Sequence, residues 1–266
     1  MTAGERALVS RLGDFFFRWR SYLPLLLLPF VAIAIARFQY PFGSRGADLT
    51  WEVLCVLLAL GGFAVRVYTV AFAAPGTSGR NTRKQKAASL NTTGPYSVVR
   101  HPLYLANSII ALGLSLFTHA WIVPPLVVIL AVGYYACIAQ REEQYLRKQF
   151  GAAFDAWAAR VPAIIPALSR YVPADQPFEW RVVLRREFYA LALILVMPLV
   201  LDVAEDLHET GVFDLDPVWT VAAAVGGGLF VVLRFLKKRT TVLVVERSAG
   251  SPLGHGGGDL RAIHVT

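Results

Sequence analysis

Six long apolar stretches constrain this chain more than any other feature of its sequence. They run approximately over residues 22–38, 49–74, 103–117, 121–139, 188–201 and 218–236. A helix needs ~20 mainly apolar residues to cross a bilayer. Charged residues make up only 17% of the chain, well below the roughly 25% of soluble domains. The sequence therefore predicts an all-α integral membrane protein with about six transmembrane helices.

A short break at Thr118 and His119 separates the third stretch from the fourth, which predicts a tight helical hairpin. Beyond the fourth stretch, four apolar residues recur at spacings of four, four and three. These residues are Leu146, Phe150, Phe154 and Trp157. The spacing predicts an amphipathic helix that lies in the membrane interface.

The distribution of charge predicts how these helices are oriented. Lys and Arg are concentrated before the first stretch, between the second and third, and at 237–239. Residues 202–216 hold six acidic residues and no Lys or Arg. Because positive charge marks the cytoplasmic side, both termini and the segments 75–102 and 140–187 are expected in the cytoplasm, with 202–216 outside. A bacterial inner membrane is the expected location.

Two of these cytoplasmic segments, 75–102 and 140–187, are longer and more polar than a connection between helices requires. A functional site is therefore expected there. The net charge of +8 lies beside apolar stretches, which favours phospholipid headgroups over nucleic acid. Cys55 and Cys137 lie within apolar runs, and no metal site is expected.

The densest polar and aromatic cluster covers residues 94–104, at the start of the third stretch. Pro102 occupies a helix-start position, so Arg100 and His101 should lie at a helix N-terminus. The free N–H groups of such an end suit an anionic ligand. The alternative is an interfacial anchor, with Arg near headgroups and Tyr in the aromatic belt.

A second cluster contains the adjacent carboxylates Glu142 and Glu143. Glu142 precedes Leu146 by four residues and is expected to share the apolar stripe. Glu143 precedes Arg147 by four and is expected to form a solvated ion pair with it. Because a carboxylate on an apolar face needs a partner, this reading favours Glu142 as the functional residue. A charged helix end without function is the alternative.

Two further basic features lie nearer the N-terminus. Arg66 is about eight residues inside the second stretch, where an ionisable residue costs roughly 2–3 kcal/mol and usually faces a polar cavity. A functional role is expected, with snorkelling to the interface as the alternative. Arg80 and Asn81 belong to a donor-rich segment, 78–84, suited to a phosphate or carboxylate. Ordinary positive-inside charge explains that segment equally well.

In their order along the chain, these features resemble the isoprenylcysteine carboxyl methyltransferase family, to which the phospholipid methyltransferases are related. The resemblance covers roughly residues 62–166. It rests on Gly-Pro-Tyr-x-x-x-Arg-His-Pro-x-Tyr at 94–104, the hairpin, the Glu pair, Phe150-Gly151 and the segment 161–166. Ala106 departs from the family pattern, since many members have glycine there.

The resemblance implies S-adenosylmethionine as methyl donor, bound at the cytoplasmic face. Its implied cofactor-binding residues are Tyr96, Arg100, His101, Pro102, Tyr104, Glu142 and Glu143. Arg66 looks like the family's intramembrane arginine. The residues expected to act in catalysis are then Arg66 and Arg100, and those expected to bind the acceptor are Arg66, Arg80 and Asn81.

The expected acceptor is a lipid-like or prenylated molecule, with O-methylation of a carboxylate or phosphate favoured. Residues 49–187 would form the methyltransferase-like core. The other expected parts are an N-terminal segment with the first helix (1–48), a C-terminal transmembrane hairpin (188–236) and a flexible tail (237–266). The alternatives are a membrane sterol or isoprenoid reductase that uses NADPH, and a non-enzymatic membrane scaffold or transporter.

Overall fold

The computed structural model describes residues 28–38, 44–74 and 89–245, which are helical with no β-strand among them. The helices are α1 (Leu28–Ile35), α2 (Arg45–Phe72), α3 (Pro102–Leu116), α4 (Val123–Phe150), α5 (Ala152–Ala158), α6 (Trp180–Thr210) and α7 (Pro217–Arg239). Two 3-10 turns, Gly94–Ser97 and Leu168–Arg170, lie in the connections. The expected all-α class is confirmed.

Four helices, α2, α4, α6 and α7, are long and apolar enough to cross a membrane. The remaining two expected spans differ from these. The third stretch forms α3, whose 15 residues extend only ~22 Å. The first stretch appears as α1, of which eight residues are described. The structure thus supports four spans, and the count of six stays a prediction.

Helices α2 and α3 approach closely because small residues lie between them. A Cβ atom on Gly62 would be 2.9 Å from the carbonyl oxygen of Ala106, and one on Gly113 would be 2.7 Å from that of Cys55. Ala59 and Ala106 are fully buried in the same contact. This close approach brings Arg66 of α2 next to the start of α3, where the polar cluster lies.

Replacing Gly62 by alanine should lower the midpoint of thermal unfolding by about 2–6 °C, because the new methyl group meets backbone atoms of α3 that cannot give way cheaply. Gly61 is the matched control, since a Cβ there meets nothing within 4 Å. Gly61→Ala should be neutral or slightly stabilising through its better helix propensity. Equal midpoints for the two variants would contradict this packing.

The α3–α4 hairpin is confirmed, and Pro124 lies in the first turn of α4 as expected. The amphipathic helix beyond it differs from expectation in extent. Helix α4 continues without a break to Phe150, and Gly151, at φ +52°, separates it from α5. The apolar stripe is therefore divided between two helices. Its members nevertheless pack into one cluster, around the buried side chains of Phe154 and Trp157.

The helices place two groups of connections at opposite ends of the bundle. At one end, the Gly94 amide donates to the Val172 carbonyl and the Glu179 amide donates to the Ala71 carbonyl, so segment 159–179 contacts both segment 89–101 and the end of α2. At the other end, Arg45 at the start of α2 donates to Asp214, which lies in the connection between α6 and α7. This relative arrangement agrees with the expected topology. Which end faces the cytoplasm stays a prediction of the charge distribution.

Candidate functional site

The two polar segments that the sequence singled out pack against each other. The Arg100 amide donates to the Pro162 carbonyl, and the Ala167 amide donates to the Val98 carbonyl, each at 2.9 Å. The Val172 amide donates to the Ser97 hydroxyl, also at 2.9 Å. These hydrogen bonds hold residues 94–101 in one conformation next to the start of α3.

Arg100, His101 and Glu143 form the centre of the site. Pro102 is the first residue of α3, so Arg100 and His101 directly precede that helix. Glu143 reaches them from α4. One of its carboxylate oxygens accepts a bond from Arg100 Nη1 at 3.0 Å, and the other lies 2.9 Å from His101 Nε2. A single carboxylate therefore fixes two cationic or donor side chains.

The expected burial of the two glutamates is wrong. The Glu143 side chain is 18% exposed and Glu142 is 30% exposed. Glu142 lies 4.0 Å from His101 Nδ1, at the edge of the site. Arg147, the expected partner of Glu143, instead bonds Asp155 at 2.7 Å. The reason is that α4 turns the side chain of Glu143 toward both Arg100 and His101 and leaves Glu142 at the more exposed edge.

An aromatic stack extends the site along α3. The rings of His101 and Tyr104 lie 5.4 Å apart, and those of Tyr104 and Tyr135 lie 4.6 Å apart, all nearly parallel. Tyr135, on α4, also hydrogen-bonds Asn107. Sequence reasoning missed Tyr135, because an aromatic residue within an apolar stretch carries no distinguishing signal.

Arg66 lies at the far end of this stack and has two partners. Its guanidinium bonds the carboxylate of Glu187, on α6, with one of the bonds at 3.3 Å, and it also donates to Asn107. The side chain of Glu187 is only 3% exposed and that of Arg66 is 15% exposed. The expectation that Arg66 faces a polar environment is met by these partners. Its role in catalysis stays a prediction.

Tyr96 lies beside the site, in the 3-10 turn Gly94–Ser97. It packs with Phe154 and Trp157, and its carbonyl oxygen accepts a bond from the Trp157 indole at 3.0 Å. Burial, together with the negative charge of Glu142, raises the pKa of Tyr96 to about 12. A tyrosine phenol is already protonated at neutral pH, and the raised pKa extends the pH range over which Tyr96 can donate a hydrogen bond.

One donor in the cluster lacks a partner. Arg100 Nε is buried and has no hydrogen-bond partner among the described residues. A buried donor without a partner costs about 1–3 kcal/mol, so this position suits a bound acceptor group. The two other residues expected to bind the acceptor, Arg80 and Asn81, lie outside the described ranges.

Comparison with known proteins adds to this geometry. The phospholipid methyltransferase family matches residues 51–153, which include the Arg100–His101–Glu143 cluster. No solved structure matches the chain.

Two bacterial proteins are similar to it. The cobalt-zinc-cadmium resistance protein CzcN of Cupriavidus metallidurans is 36% identical over 132 residues, 49% of this chain and 58% of the relative. The nickel-cobalt-cadmium resistance protein NccN of Alcaligenes xylosoxydans xylosoxydans is 32% identical over 164 residues, 61% of this chain and 71% of the relative. This chain thus spans less than two thirds of the first relative and more than two thirds of the second.

The matched region begins in α2 and ends in α5, and it includes two of the four helices that are apolar and long enough to cross a membrane. The family resemblance seen in the sequence is thereby confirmed. The chain is an integral membrane protein that belongs to the phospholipid methyltransferase family.

Proposed function

We propose that this protein transfers a methyl group from S-adenosylmethionine to a lipid-borne acceptor. The observation that carries the proposal is the cluster of Arg100, His101 and Glu143, built from two helices within the family-matched region. The membrane methyltransferase chemistry of the family supplies the reaction class. The alternatives of a reductase and of a scaffold receive no such support.

The residues of the cluster fit the methyl donor chemically. S-adenosylmethionine carries a carboxylate, an ammonium and a ribose diol. The buried Nε of Arg100, which has no hydrogen-bond partner within the described part of the chain, suits the carboxylate. Glu142, at the more exposed edge beside His101, suits the ammonium or the hydroxyls. Glu143 would hold Arg100 and His101 in place rather than contact the donor itself.

Arg66 is the proposed contact for the acceptor. It lies within a helix that is apolar enough to cross a membrane, where a lipid-borne anion would arrive. Glu187 and Asn107 hold its guanidinium from two sides. We propose that it orients an acceptor carboxylate or phosphate for O-methylation, and that Arg80 and Asn81 bind the same group.

The proposed mechanism depends mainly on positioning. When bound, S-adenosylmethionine supplies a methyl group that its sulfonium already activates. The chain needs little acid–base chemistry beyond this. Arg100 and His101 would anchor the donor, and Arg66 would align the acceptor oxygen. Holding two reactants in line can contribute about 7–11 kcal/mol to lowering the barrier.

The proposal is tested with purified protein in native lipid. S-adenosylmethionine labelled on its methyl carbon is supplied in one sample, and reduced nicotinamide cofactor in another. We expect label in an organic-soluble product, and its loss in His101→Ala. Oxidation of the nicotinamide cofactor without methyl incorporation would overturn the proposal in favour of a reductase.

The names of the two relatives refer to metal resistance. Those names describe the relatives. The function proposed for this chain rests on the family and on the cluster.

A further inference from the structure

Large apolar side chains are exposed along the connection between α5 and α6, on the side of the candidate site. Each is at least 48% exposed, and Ile165 reaches 79%. Exposed apolar patches mark contacts with a partner or a membrane, so the position of these side chains decides what covers them. We name them the connection surface: Ile164, Ile165, Leu168, Val172, Phe178 and Trp180.

The connection surface lies level with the end of a helix that is apolar and long enough to cross a membrane. The charged residues of α2 other than Arg66 all lie at or before Glu52, so a crossing of ~20 residues that follows them ends at about Phe72. The ring centroids of Phe72 and Phe178 are 5.5 Å apart. One turn before Phe72, the hydroxyl of Tyr68 hydrogen-bonds that of Tyr171. These contacts place the connection at the depth of the lipid interface.

The sequence had assigned the contact with this interface to the apolar stripe that ends at Trp157. The structure uses that stripe inside the protein instead, since Phe154 is 0% and Trp157 is 4% exposed. The exposed large apolar side chains begin after α5, at Ile164. The residues that can contact lipid therefore follow the predicted interfacial helix rather than belong to it.

Arginine side chains border the connection surface. Arg160 and Arg170 are exposed on either side of its most exposed part, and the stretch 160–174 contains no acidic residue. At its other end, the exposed guanidinium of Arg181 lies 5.4 Å from the centre of the Trp180 ring. Apolar side chains flanked by arginine are typical of surfaces that insert between acyl chains while binding anionic headgroups.

We propose that the connection surface docks on the membrane leaflet at the side of the candidate site. Ile164, Ile165 and Leu168 insert among the acyl chains, and Arg160 and Arg170 bind anionic phospholipid headgroups. The arginines favour this occupant over a second copy of the chain, because two copies that met through this surface would bring like charges together.

Docking would also set the position of the candidate site relative to the lipid. The Pro162 carbonyl accepts a bond from the Arg100 amide, and the Ala167 amide donates to the Val98 carbonyl. The backbone of the docked segment therefore holds the site beside the leaflet, where a lipid-borne molecule arrives. Docking does not require methyl transfer, so it is tested by a measurement that does not depend on activity.

The experiment measures the depth of single labelled residues in the full-length protein, reconstituted in nanodiscs of phosphatidylcholine and phosphatidylglycerol. Cysteine replaces Ile165, or Ala152 as the control, in a Cys137→Ala background, and carries the fluorophore NBD. Cys55 is buried, and the background protein treated with the label gives the blank. Brominated acyl chains quench the label from the lipid, and iodide quenches it from water.

Ala152 is the matched control because it is exposed on α5, one turn before Asp155. Asp155 forms an exposed ion pair with Arg147, so this face of α5 is expected to stay in water. Brominated lipid should lower the fluorescence of Ile165→Cys about twofold and leave that of Ala152→Cys nearly unchanged. Iodide should quench Ala152→Cys more strongly than Ile165→Cys.

Three results would contradict the proposal. Equal quenching of the two labels by brominated lipid would show that the connection surface does not enter the membrane. Protection of Ile165→Cys from both quenchers would show that a second copy of the chain covers the surface. Quenching by brominated lipid that stays the same when phosphatidylcholine replaces phosphatidylglycerol would overturn the assignment of anionic headgroups to Arg160 and Arg170, since weaker quenching is expected without them.

Discussion

Glu143→Ala should weaken binding of S-adenosylmethionine at least tenfold, a loss of about 1.4 kcal/mol or more. The reason is that the carboxylate of Glu143 contacts both Arg100 and His101. Without it, two donor side chains lose the partner that fixes their position. His101→Ala should cause a loss of similar size. Calorimetric titration of the purified protein with S-adenosylmethionine measures both.

Glu142→Ala is the matched control for this prediction. Glu142 is the neighbouring residue on the same helix, is more exposed and lies 4.0 Å from His101 Nδ1. Its loss removes one proposed contact but leaves the Arg100–His101 arrangement intact, so we expect a reduction of about threefold. If Glu142→Ala weakens binding more than Glu143→Ala does, this ranking of the two glutamates is wrong. The ranking expected from the sequence, with Glu142 as the functional residue, is then correct. Unfolding curves of both variants separate loss of binding from loss of fold.

Arg66→Leu should lower turnover at least tenfold and also destabilise the protein. From sequence alone leucine would be expected to fold well, because it suits lipid better than arginine does. The structure changes this expectation, because Arg66→Leu leaves Glu187 buried without its cation. Removing one partner of a buried ion pair costs about 3–5 kcal/mol. A lower rate in this variant alone would therefore not identify a role in catalysis.

The double variant Arg66→Leu/Glu187→Leu separates the two effects. Replacing both partners of a buried ion pair by apolar residues is often neutral for stability, so Tm should return close to that of the wild type. Turnover should stay at least tenfold low if Arg66 orients the acceptor, while affinity for S-adenosylmethionine should change little. Wild-type turnover in the double variant would show that the Arg66–Glu187 pair has a structural role and that Arg66 does not orient the acceptor.

The Arg66–Glu187 pair also links the C-terminal helices to the site. Glu187 lies outside the family-matched region 51–153, in a helix that continues to Thr210 and packs against α7. The boundary expected between a core and a C-terminal hairpin, at 187, thus falls within α6. We infer that α6 contributes to the site by holding Arg66.

Several features followed from the sequence because they depend on neighbours along the chain. Apolar stretches, a Pro at a helix start and the order of short motifs are all local, and they predicted the helical membrane class, the α3–α4 hairpin and the family. The Arg100–His101 pair was recognised for the same reason. It lies directly before Pro102, and that position at a helix start is readable without knowing what packs against it.

Other features depended on which way each helix faces, and only the tertiary structure decided that. Adjacent helical residues point about 100° apart, so the rotation of α4 about its own axis decides whether Glu142 or Glu143 contacts Arg100 and His101. The α6 partner of Arg66 lies 121 residues away in sequence, and no local pattern marks it. The buried carboxylates near the other end of α2 and α6 are likewise far apart in sequence. Composition and periodicity determined what kind of protein this is, whereas helix packing determined which polar side chains meet, because ion pairs and hydrogen bonds form between faces that are distant in sequence.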